Sequence, residues 1–146
     1  MTMHTAITPA AVAPHPTARV LETISGPVSA LVTAAARRWR SARDHGVPAQ
    51  ARLYALLARR HWEMLTPTFD SLMTLCEGAL RRPITTGRGH ALSRDETMLI
   101  GMLDGSVARR DCIECAGGPA RALDSAIECT RIMMAMVMSA PVGTQG

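Results

Sequence analysis

Residues 92–105 read LSRDETMLIGMLDG, and the class of the fold follows from them. Ser93 can cap the amide of Glu96 while the Glu96 side chain reaches back to Ser93, a capping box that opens a helix. Asp95 and Glu96 then read as favourable charges in a first helical turn. Met98, Leu99, Met102 and Leu103 fall on one face, and Gly105 ends the helix.

The same period recurs outward in both directions. Upstream, residues 83–92 (PITTGRGHAL) read as a loop with Gly87 and Gly89 as its flexible points. Before it, Thr66 reads as an N-cap ahead of Pro67, and Phe69, Leu72, Met73, Cys76, Ala79 and Leu80 form a stripe. Pro48 opens a helix predicted to run to about Leu65. Leu53, Tyr54, Leu57, His61, Met64 and Leu65 share its broad face, so His61 reads as a core histidine. Ala55, Ala58 and Trp62 lie nearly opposite, which places this helix centrally in a bundle or half exposed at a subunit contact. Earlier still, Val28, Leu31, Val32, Ala35, Trp39 and Ala42 form one arc, closed by Gly46 in the left-handed C-terminal position. Residues 17–25 read as a first helical piece ending at Gly26-Pro27.

Downstream, residues 106–116 predict a short helix, and Gly117-Gly118 breaks it. Pro119 opens a last helix to about Met138, with Leu123, Ala126, Ile127, Thr130, Met133, Met134 and Val137 as its stripe. No β-branched alternation competes. The expectation is an all-α fold, a compact bundle of five or six helices with short connections, neighbours in sequence packing antiparallel. Residues 18–140 form its single domain, between a disordered, flexible tail at 1–17 and a short one at 141–146.

Composition bounds the function. Of the 146 residues 47% are hydrophobic and 19% charged, which excludes disorder throughout. Aromatics are only 3%, so Leu, Ala, Met, Val and Ile must build the core. All 16 basic residues are Arg, and the net charge of +4 permits nucleic acid, an anionic membrane surface or an acidic protein without selecting one. No run approaches the roughly 20 apolar residues that span a bilayer. Four unevenly spaced cysteines do not make a secreted disulfide framework, so the thiols read as reduced in a cytoplasm.

Cys112 and Cys115 form a CxxC, whose spacing lets two thiolates share a metal or close a disulfide. Zinc would need two more ligands, for which Cys76, His90 and Cys129 are the candidates. Packing as small hydrophobes is the competing reading, and the expectation is no cofactor, with zinc as the alternative. Met133, Met134, Met136 and Met138 suit soft copper, yet scarce aromatics already account for methionines as core fillers. Arg40, Arg43, Arg81, Arg82 and Arg88, with His90, could gather at one bundle end as an anion or nucleic-acid patch. The simpler role is complementing helix C-termini. Arg60 falls inside an apolar arc and must snorkel or pair with Asp70, Glu77, Asp95 or Glu96. No GxSxG, HExxH, Walker loop or GxGxxG is present, which argues against an enzyme.

Leu92-Ser93, Glu96, Leu99-Ile100, Leu103 and Gly105 resemble the opening of a LuxR-type helix-turn-helix domain. The resemblance implies a short helix next, then a recognition helix carrying Arg121, Asp124, Ser125, Glu128 and Arg131 toward DNA. Gly117-Gly118-Pro119 departs from that family's tight turn, and the face is balanced rather than basic. Arg81-Arg82-Pro83-Ile84 with residues 92–96 and the following Leu/Met helix resembles short helical bacterial proteins of uncharacterised function, over about residues 50–138. In those, a cysteine-bearing loop stands where this chain has Gly87 to His90.

These readings predict a cytoplasmic bacterial protein, not an enzyme, acting through protein–protein contact as a homo-oligomer or small adaptor or regulator. Trp62, Met136 and Met138 are its expected interface. A DNA-binding transcriptional regulator is the alternative, and a metal or redox sensor using Cys112 and Cys115 is the third.

Overall fold

The computed structural model describes residues 26–139; the tails expected at 1–17 and 141–146, and the helical piece at 17–25, lie outside them. Gly26 is extended, and Pro27 occupies the first turn of α1 (Pro27–Asp44), where its missing N–H costs nothing. The expected arc is buried at Leu31, Val32, Ala35, Trp39 and Ala42, with Ala36 beside it. Gly46, at φ 64°, closes the helix. The amides of Val47 and Gly46 donate back to the carbonyls of Ala42 and Arg43, satisfying the last turn.

α2 (Ala49–Ala58) is shorter than its apolar pattern suggests. His61 is left-handed at φ 61°, and the amides of Trp62 and His61 donate to the carbonyls of Leu57 and Ala58. That is a Schellman closure with histidine where glycine is usual. His61 is therefore exposed on a turn, not a core residue, and Tyr54 and Met64 are exposed at 55% and 65%. A single 3-10 turn (Glu63–Leu65) leads directly into α3 (Thr66–Leu80). Thr66 is accordingly helical rather than an N-cap, and its buried hydroxyl has no partner among the described residues.

α4 (Arg94–Asp104) has the expected capping box, with Glu96 N donating to Ser93 Oγ at 3.0 Å and Ser93 N to Glu96 Oε1 at 2.8 Å. Gly105, at φ 84°, ends it. Residues 106–116 hold only the single turn α5 (Arg109–Cys112) before α6 (Gly117–Met138).

These six helices pack as an all-α bundle, and no strand occurs among the described residues. α1 packs on α2 and α4, and α6 packs most extensively on α3. α3 and α4 are neighbours in sequence but not main partners, because the long 81–93 loop carries the chain across to the α1 side. Trp39 and Phe69 are the two aromatics among the fully buried side chains; Leu53, Leu57, Leu72, Met73, Leu99 and Leu123 fill the rest. The Trp39 indole N–H donates to Asp70 Oδ1 at 2.8 Å. No helix among the described residues is long and apolar enough to cross a membrane.

Candidate functional site

Asp95 and Glu96 are more than helix-end charges: they are 3% and 0% exposed. A buried carboxylate is tolerated only with partners. Glu96 accepts from Arg37 Nε at 2.6 Å and, through Oε1, from the amides of Gly87 and Ser93, each at 2.8 Å. Asp95 takes two guanidinium N–H donors of Arg82 at 2.6 and 2.9 Å, plus the amide and hydroxyl of Thr85 at 2.8 and 2.9 Å. Arg37 continues outward to the carbonyls of Gly89 and Ala91. Glu77, paired with Arg40, accepts from the Ile84 amide.

The 83–92 loop is thus clasped along its length. Gly87 is not a point of flexibility but of close approach, since a Cβ there would stand 1.9 Å from the Ala91 carbonyl oxygen. The Arg82 guanidinium, with the Thr85 donors, outweighs burial and holds the Asp95 carboxyl down at about 2. Burial would raise Glu96, but Arg37 and the amides of Ser93 and Gly87 overcome it and lower the group. Asp95 and Glu96 Oε1 hold the loop, and Glu96 Oε2 ties it to Arg37 of α1.

Of the anion-patch candidates, Arg40 is paired with Asp44 and Glu77, and Arg82 with Asp95. Arg43 lies over the Trp39 ring, 5.3 Å from its centroid, while Arg81 and Arg88 are exposed. The acids suggested for Arg60 are engaged elsewhere, Asp70 by Trp39 and Gln50. Arg60 is instead exposed, 5.6 Å from the Trp62 ring centroid.

The cysteines divide. Cys76 is fully buried on α3; burial first, and then the nearby Cys112, pushes its thiol up to about 12, which suits an inert packing group. Cys112 and Cys115 are half-buried against the same core, with Cys115 Sγ accepting from Arg109 Nη1 at 3.7 Å. Cys129 and His90 are exposed, on α6 and in the clasped loop. Among the described residues, no three His, Cys, Asp or Glu side chains are placed to share a metal ion.

The interface candidates converge differently. Trp62 is half-buried, Met138 half-buried and Met136 64% exposed. Trp62 and Met138 line one open groove of about 780 Å³, bounded by Val28 of α1, Leu103 of α4, and Ile132, Met134 and Ala135 of α6. Arg60, Asp104, Glu128 and Arg131 are its charged walls. A second groove of about 410 Å³ continues on the other side of Trp62, along Ala30, Leu31 and Ala34 of α1 and Leu56 of α2. Met136 lies outside both linings, on the neighbouring exposed surface of α6. The groove exists because α2 stops at Ala58: the Schellman turn swings Trp62 toward the start of α1. Pattern reading carried that helix straight through Trp62, and with His61 in place of glycine no residue marked the break.

No family model, curated protein or solved structure compared with the chain matches it.

Proposed function

We propose that this chain acts through contact with another protein, without chemistry of its own, by accepting the apolar face of an amphipathic helix in the groove beside Trp62. The observation that carries this reading is the lining: Val28, Trp62, Ile132 and Met138 leave apolar surface open between charged walls. Helices bind such grooves through a few apolar anchors spaced a turn apart, with flanking charges setting orientation. Arg60, Arg131, Asp104 and Glu128 supply charges of both signs around it. Methionine adapts to more than one shape, which fits an adaptor.

The test uses a synthetic amphipathic helix with leucines on one face and glutamates and lysines on the other. Trp39 is sealed in the core, so changes in emission on titration report Trp62. The expected result is saturable binding, weakened at least about tenfold by Ile132→Asp. Absence of any saturable response in the native chain would overturn the reading.

A further inference from the structure

Where α1 turns into α2, away from the groove beside Trp62, a different chemistry gathers: we infer that a phosphate monoester, or free phosphate, binds between Arg38, His45 and Arg52. A cavity of about 200 Å³ opens there, lined by these three residues with Ser41, Ala42 and Val47. That is below the roughly 300–1,000 Å³ of sites for drug-sized ligands and suits a small anion. No acid lines it. Neither Arg38 nor Arg52 meets a carboxylate among the described residues, and Asp44, beside His45 in sequence, is held by Arg40. Two guanidinium groups that share one cavity without a counter-charge repel each other, and a bound dianion reverses the sign of that interaction.

The surrounding backbone agrees. The last carbonyls of α1 would repel an anion, but the amides of His45, Gly46 and Val47 already donate to those of Ser41, Arg43 and Ala42. α2 opens after Pro48 with no side-chain cap and no acid in its first turn, and Arg52 is its fourth residue. A cation at that end opposes the helix dipole, whereas an anion complements it. His45 Nδ1 lies 2.7 Å from the Ser41 carbonyl oxygen, which only accepts, so Nδ1 carries the hydrogen and Nε2 is left for a ligand. Arginine forks match phosphate oxygens in pairs, and a monoester carries about −1.5 to −2 charge at neutral pH, balancing two guanidinium groups. A phosphodiester carries a single charge, and a nucleic-acid backbone is held by a row of such contacts rather than one focus.

Backbone amide NMR shifts of the full chain, titrated with phenyl phosphate at neutral pH and fixed ionic strength, test the site. The amides of Ser41, His45 and Arg52 should shift and saturate, with affinity weakened at least about tenfold by Arg38→Gln or Arg52→Gln. Both arginines are exposed, so these variants keep the bundle, as far-UV circular dichroism checks. Arg121→Gln removes the same charge from an exposed position on α6 and should leave the affinity unchanged. Inorganic phosphate binding as well as phenyl phosphate would assign the free anion; tighter phenyl phosphate would assign the ester. Diphenyl phosphate binding as tightly as phenyl phosphate would overturn the dianion site, as would shifts that rise without saturating. An equal loss in Arg121→Gln would reduce the effect to net charge and overturn it too. Duplex DNA binding that Arg38→Gln and Arg52→Gln abolish, with phenyl phosphate inert, would replace the small-anion site by a nucleic-acid contact.

Discussion

His61 holds a left-handed backbone, at φ 61°, that L-residues with a Cβ adopt at a cost of about 1–2 kcal/mol. Histidine tolerates the region better than most residues, and glycine loses more entropy on folding. The difference leaves His61→Gly stabilising by about 0.5–1 kcal/mol, read from the urea midpoint at constant slope. A loss of stability would show that the exposed imidazole makes a contact worth more than its backbone strain. Gly46 and Gly105 mark helix ends by residue type, so both were legible in the sequence. His61 and Arg81, the latter at φ 57°, do the same work with side chains that give no such signal.

Helix stripes are the most legible elements, because burial repeats every three or four residues whatever the helix packs against. The arcs on α1 and α3 and the capping box of α4 come directly from that period and from local hydrogen bonding. The clasped loop was not legible, since its main contact joins Arg37 to Glu96 across 59 residues and no local pattern encodes the pairing. Its energetics separate it from surface ion pairs. Arg37→Met strands a carboxylate of 0% exposure, and breaking such a pair costs about 3–5 kcal/mol. Arg131→Met removes a partner of Glu128 at 43% and 61% side-chain exposure, worth less than about 1 kcal/mol. Thermal or urea unfolding of the two variants should separate by that margin. Hydrogen exchange at the amides of Gly87 and Ser93 should quicken selectively in Arg37→Met; equal effects from both variants would contradict the clasp.

For the molecule as a whole, pH dependence follows from two groups displaced in opposite directions. Asp95 sits at about 2 in the fold, below the unfolded value near 3.9. Its contribution, about 2 kcal/mol, is complete above the unfolded value and drains away as the pH falls from about 4 to 2. Glu96 and Asp124 are lowered too and add to the same acid limb. Cys76 lies the other way, at about 12, so its contribution is complete below the unfolded thiol value and is lost as the pH climbs from about 9 toward 12. Unfolding free energy measured against pH should therefore fall at both ends, with Asp95→Asn flattening the acid limb and Cys76→Ala the alkaline one. An acid limb of unchanged slope in Asp95→Asn would refute the assignment. The clasp also has a consequence in time. A ribosome releases Arg37 well before Glu96, and the loop between them stays unanchored until α4 emerges. A nascent chain paused in the 81–93 stretch would present that open loop, and the bare α4-facing side of α1, to proteases and chaperones.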